Sequence, residues 1–124
     1  MTKDFVKKHL GPTVLSRDVW LTKNTVLVKT CFDLNEDSLA LIGDGSYIYC
    51  EKSSNNSIQR LLYSGQKHRH LVKPFVLCST NGRIIDVYGP YPATANDASI
   101  LKHILETDDD LNSLLKVLNY LLLF

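Results

Sequence analysis

Runs of apolar residues change period along the chain, and those changes predict its elements. Leu39-Ala40-Leu41-Ile42 leads through Gly43-Asp44-Gly45 into Ser46-Tyr47-Ile48-Tyr49-Cys50, where β-branched and aromatic residues predict strand. Leu71 to Ser79 predicts a second strand, and Pro74 inside it favours an edge position or a bulge because proline cannot donate to a ladder. Asn81-Gly82 is a hairpin signal between Leu77-Cys78 and Ile84-Ile85, so a third strand is expected over Arg83 to Gly89, ended by Pro90-Tyr91-Pro92. Asn96-Asp97 then opens a helix whose Ile100, Leu101, Ile104 and Leu105 recur at helical spacing. A polar break follows at Thr107 to Asp110, then a short helix over Leu111 to Val117, and Tyr120 to Phe124 reads as a strand entering a core. Upstream, Lys3 to Phe32 mixes helical and irregular character. Gly11-Pro12 breaks it, and Ser16 is placed to cap a helix carrying Val19, Trp20 and Val26 to Val28. Asp33 to Asp37 forms an acidic connection, and the Ser/Asn-rich Glu51 to Gln59 predicts a loop.

Strands followed by helices give an α/β class of α+β character: three mainly antiparallel strands, helices, and the start of a further strand. A chain of 124 residues suits one small domain, divided into a helical and irregular lead-in over 1–38 and a main unit over 39–124. Hydrophobic residues at 44% and charged residues at 22% place it among soluble globular proteins. Leu114 to Phe124 is too short for a membrane span and contains Lys116 and Asn119, while Met1 to His9 is too polar for a secretory signal. Cys31, Cys50 and Cys78 show no CxxC spacing, so a reduced intracellular protein, nuclear or cytoplasmic, is expected. The net charge of +1 says little about partners; its distribution says more.

Asp44 stands between two glycines in an apolar strand pair, where a carboxylate costs free energy unless a partner or metal offsets it. Asp-Gly between β-runs is equally a two-residue hairpin turn, and local sequence leaves both readings open. Asp97 can cap its helix or stabilise it through the helix dipole, which is compatible with facing a metal. Arg60, Lys67, His68, Arg69, His70 and Lys73, flanked by Tyr63 and Phe75, form a basic stretch that suits phosphate contacts or a plain solvated loop. His68 and His70 with Cys50 or Cys78 lack the close paired spacing of structural zinc sites. Asp108-Asp109-Asp110 reads as a solvated helix start.

The ordered segments are more specific than any one feature. Asp44-Gly45-Ser46-Tyr47-Ile48-Tyr49, Lys52-Ser53-Ser54-Asn55, Gln59-Arg60, Tyr63-Ser64-Gly65-Gln66-Lys67, Leu71-Val72-Lys73-Pro74, Tyr88-Gly89-Pro90-Tyr91 and Asn96-Asp97-Ala98-Ser99-Ile100-Leu101 follow one another. Together they resemble the DDE-superfamily endonuclease domain of Harbinger-like transposases and their host-derived relatives, over roughly Leu39 to Leu105.

The resemblance implies a partial ribonuclease H-like fold and a nuclease acting on DNA with two Mg²⁺ or Mn²⁺ ions held by carboxylates. It makes Asp44 the first catalytic, metal-holding aspartate and gives Asp97 an auxiliary acidic, metal-facing role. It also favours a strand that continues through Asp44 into Tyr47 to Cys50. The second catalytic aspartate of relatives sits at the end of the next strand, in a motif resembling Asp-Arg-Gly-Phe. Here that strand is Tyr120 to Phe124, where the sequence ends, and the family's later glutamate is missing. The expectation is therefore a truncated domain, inactive alone, with apolar sheet faces left uncovered. Such transposases leave sequence-specific DNA recognition to a separate domain or DNA-binding partner protein, and no helix-turn-helix is seen here. The alternative is a non-catalytic DNA- or protein-binding module.

Overall fold

The computed structural model describes residues 2–116 and 119–123. Three short helices lead in: α1 (Thr2–His9), α2 (Arg17–Leu21) and α3 (Val26–Cys31). Ser16 caps α2 as expected, its hydroxyl accepting the Val19 N–H at 3.4 Å. The single helix expected from Ser16 to Val28 is instead two, with Thr25 capping the second through the Val28 N–H. Asn24 explains the break. Its side-chain amide donates to Ser38 O at 2.7 Å and its amide oxygen accepts the Ala40 N–H at 3.0 Å, clamping the following strand.

That strand is β1 (Ser38–Gly45), followed by β2 (Ile48–Tyr49), α4 (Asn56–Leu62), β3 (Tyr63–Ser64), β4 (Arg69–Ser79) and β5 (Ile84–Pro92). Helices α5 (Asp97–Thr107) and α6 (Asp109–Lys116) precede β6 (Asn119–Leu123). The long β4 is central. Antiparallel β1 and β2 share one of its edges and antiparallel β5 the other, since Val72 pairs with both Ile48 and Pro92. On its far side β1 pairs with β6 in parallel, Ile42 opposite Leu123. This mixed α/β arrangement is compatible with a partial ribonuclease H-like fold. The expected end strand is present; Phe124 lies outside the described residues.

Asp44-Gly45 is not a turn: Asp44 pairs with Val76 and Gly45 with Phe75 inside the ladder. The strand does not, however, run unbroken to Cys50. Ser46 and Tyr47 interrupt it, although β2 resumes in the same register against β4. Pro74 lies opposite Ser46 and has no N–H to give, so only the Ser46 N–H bond to Pro74 O, at 2.9 Å, survives there. Pro74 also sits at a register shift between β4 and β5, so it marks a bulge within a central strand and not an edge. Asn81-Gly82 turns the β4–β5 hairpin, Gly82 at φ +90°. Strand β5 continues past the expected end at Gly89, through Pro90 and Tyr91, and ends at Pro92. Gly89 allows this: at φ +102°, a Cβ there would lie 2.9 Å from Tyr91 N. The Glu51 to Gln59 loop is corrected too, since Asn55 caps α4 by accepting the Ser57 and Ile58 N–H groups.

The core lies on one face of the sheet. Leu39 and Leu41 of β1, Phe75 and Leu77 of β4, and Ile100 and Ile104 of α5 are buried together. Trp20 joins them, its indole N–H donating to Pro12 O at 2.9 Å, so the lead-in shares this core. The opposite face is thinly covered: Ile84 and Val87, paired with Cys78 and Val76, are exposed.

Candidate functional site

Alternation along β1 sets the geometry around Asp44. Gly43 and Gly45 face the core side, and Asp44 faces the other. Both glycines leave space that neighbouring side chains fill. A Cβ at Gly43 would lie 2.9 Å from the Phe75 ring, and one at Gly45 would lie 2.8 Å from Asp97 Oδ1 and 3.0 Å from Lys73 Cε. The Gly-Asp-Gly signature thus lets a large ring and an ion pair press flat against one face of the strand while it offers a carboxylate on the other. Asp44 is exposed, and its carboxylate has no hydrogen-bond partner among the described residues.

Asp97 begins α5, capped by Asn96, whose side chain accepts the Ser99 N–H at 2.8 Å. Its carboxylate accepts from Lys73 Nζ at 2.8 Å, and the same ammonium donates to Ala95 O at 2.8 Å. Asp97 therefore lies against Gly45, one residue from Asp44, but on the opposite side of the strand. Lys73 is 7% exposed and its ammonium is occupied by Asp97 and Ala95 O, which sets it apart from the exposed basic residues. This buried lysine packs across β1 at Gly45.

The remaining basic residues do not form one patch. Arg69 and His70 begin β4 and point to opposite faces because consecutive strand residues alternate. On the core side, Arg69 stacks over Tyr49 at 4.3 Å from the ring centroid, and Lys67 lies 5.3 Å above Tyr47. Lys67 and the neighbouring His68, at φ +53°, belong to the exposed turn before β4. On the Asp44 side, His70 packs edge-on to Tyr63 at 5.3 Å, beside Arg60 of α4. No group of three His, Cys, Asp or Glu side chains able to hold a metal ion occurs among the described residues.

A second acidic cluster escaped the sequence reading. The Tyr88 hydroxyl donates to Asp108 Oδ2 at 2.7 Å, and burial followed by that bond and the Asp108 charge pushes the phenol well above its ordinary range. Burial raises Asp86 above the usual carboxylate value; the Val87 N–H opposes this and the Asp108 charge adds to it. Asp108 also caps α6 through the Leu111 N–H at 3.0 Å, so the cluster joins strand to helix. Nothing local in Asp-Val-Tyr signals a contact with a residue twenty positions on.

No helix among the described residues is long and apolar enough to cross a membrane. No curated protein and no solved structure matches the chain. A family profile described as DDE superfamily endonuclease matches residues 43–117, beginning at the glycine before Asp44 and spanning more than half of the sequence. On that match, over the segment that carries the strand-borne aspartate, the chain belongs to the DDE superfamily endonucleases.

Proposed function

We propose that the chain is the N-terminal portion of the catalytic domain of a Harbinger-like, transposase-derived endonuclease. It would hydrolyse or transfer DNA phosphodiesters with Mg²⁺ or Mn²⁺, Asp44 being the first carboxylate to hold the ions. The observation that carries this reading is the exposed, uncommitted Asp44 carboxylate on a central strand at the head of the family match.

The described residues do not by themselves fit a two-metal site. Mg²⁺ needs near-octahedral oxygen ligation, and one free carboxylate leaves most of that shell to water. Asp97 adds little on this reading, because its charge is matched by Lys73 and it faces the other side of β1. Its part is to position: with Lys73 it braces the glycines beside Asp44. The register supports a further ligand from outside these 124 residues. Strand β6 runs parallel to β1 with Ile42 opposite Leu123, so the level of Asp44 falls two residues beyond Leu123. The 124 residues alone are accordingly inactive, and target recognition falls to a DNA-binding partner, with the nucleus as the place of action. For phosphate contacts we retain Arg60, Lys67, His68 and Arg69.

A plasmid-nicking assay with Mn²⁺ tests this. The 124-residue chain should leave supercoiled plasmid intact. A chain extended through a strand-end aspartate and a later glutamate should nick it, and Asp44→Asn should abolish that nicking. Nicking by the extended chain that survives Asp44→Asn would remove Asp44 from the site, and robust nicking by the short chain would refute its inactivity. A non-catalytic binding module is the second reading, favoured by the lack of a clustered donor set among the described residues; it predicts DNA binding with no cleavage in either form.

A further inference from the structure

A groove of about 680 Å³ opens between α4 and the start of β4, lined by Lys52, Asn56, Gln59, Arg60, Tyr63 and His70. Three of these residues come from one face of α4, at positions i, i+3 and i+4. We propose that this groove binds an unpaired nucleotide of a DNA strand, its base against Tyr63 and its phosphate on Lys52 and Arg60. The inference rests on the reading that the domain acts on DNA, and adds which form of DNA it holds and where.

Four observations converge on that ligand. The lining holds two cations and no carboxylate, which selects an anion. The Asn56 and Gln59 amides make no hydrogen bond to the protein among the described residues, so each offers a donor and an acceptor, the pattern that a base edge matches and a bare phosphate does not. Tyr63 is 42% exposed, lines the groove, and packs against the His70 ring at 5.3 Å between centroids and 60°, so a braced aromatic ring is available there. His70 Nε2 has no hydrogen-bond partner among the described residues. A base inside a duplex has both faces covered by its neighbours, so only an unpaired one can stack on Tyr63.

The groove also lies on the right side of the sheet. His70 shares the face of Val76, and Val76 pairs with Asp44. Six residues separate His70 from Val76 on β4, so the groove lies about 20 Å along the strand from the Asp44 level at ~3.3 Å per residue. A single strand running down this face would pass Asp44 several nucleotides from the base held in the groove. Lys67 and Arg69, on the other face, do not line the groove, and the phosphate contacts proposed for them are to another part of the DNA.

Fluorescence anisotropy of a labelled oligonucleotide, in EDTA to exclude cleavage, tests the proposal on the 124-residue chain. The single strand should bind more tightly than the same sequence annealed to its complement, and abasic substitution should weaken it. Tyr63→Ala should weaken single-strand binding by roughly five- to a hundred-fold, as loss of one base stack does, while Tyr63→Phe retains it. Asn56→Ala, at an exposed position, with Gln59→Ala, at a half-buried one, should weaken it while leaving both rings of the Tyr63–His70 contact in place. Equal or tighter duplex binding overturns the proposal, as does Tyr63→Ala binding like the parent. If those results occur while Asp44→Asn still abolishes nicking in the extended chain, the groove assignment fails and the nuclease reading stands. Absence of binding to any DNA, with no nicking by the extended chain, defeats both.

Discussion

Asp97→Ala isolates what the Lys73–Asp97 pair does. The substitution leaves the Asn96 cap in place and removes the partner of an ammonium whose side chain is 9% exposed. Losing a hydrogen bond to a charged group costs about 1.5–3 kcal/mol, and losing a carboxylate from the first turn of α5 about 0.3–1 more. Asp97 is 36% exposed, so water screens the pair, and Lys73 keeps its bond to Ala95 O; both argue for the lower part of that range, about 2 kcal/mol. Lys73→Met removes the buried charge and keeps the volume, so it should fall within about 1 kcal/mol of the parent. The double variant should then be less damaged than Asp97→Ala alone, with a coupling of about 1–2 kcal/mol. In urea, at an m-value of about 2 kcal/mol/M, Asp97→Ala should lower the midpoint by about 1 M, and adding Lys73→Met should restore most of it. An unchanged midpoint for Asp97→Ala, or a double variant as unstable as the single one, would refute the claim that the pair is a structural brace.

Gly43→Ala should cost about 1–3 kcal/mol in chemical denaturation, because its Cβ meets the buried Phe75 ring at 2.9 Å; a neutral result means the ring moves freely. Lys67→Ala with Arg69→Ala should weaken DNA binding and flatten its salt dependence by about two phosphate contacts, whereas Lys73→Met should leave the slope unchanged. Asp86 has a folded pKa raised above 3.8, so the folded state holds its proton more tightly than the unfolded state does. The associated stability is fully present below the unfolded value and is lost as pH rises through the folded one. Asp86→Asn should therefore raise the thermal midpoint more at pH 7 than at pH 3, and an equal gain at both would count against burial as the cause. Tyr88 is shifted upward in the same sense, so its contribution holds across neutral pH and fails only as the solution becomes strongly alkaline.

Much of the main unit was legible because its signals are local. Asn96 announces α5, Asn81-Gly82 turns the hairpin, and Ile100 and Ile104 mark the buried face. The misreadings came where a residue's partner is remote in sequence. Asn24 splits a helix because it serves β1, and Asn55 sits in a loop-like composition because it caps α4. Lys73 looked like a phosphate contact because it follows the basic stretch, yet strand alternation turns it into the core side, where Asp97 waits twenty-four residues later. The same alternation divides Arg69 from His70, which no charge count along the chain reveals. Gly43 and Gly45 were visible as glycines, but the ring and ion pair that require them come from β4 and α5.

The interruption at Ser46-Tyr47 and the bulge at Pro74 lie side by side, so the ladder is weakened on both edges of β4 at one level. Below it, β1, β4, β5 and helices α2, α5 and α6 share the core; above it, the start of β4 is held only by two-residue β2 and β3 and by the last two residues of β5, Tyr91 and Pro92. Such an arrangement separates two units of opening. Amides of Tyr49 and Cys50 should exchange with solvent through local fraying, while those of Leu39 to Ile42 exchange only when the whole domain unfolds. The end that carries the groove can therefore loosen while the segment that presents Asp44 keeps its place.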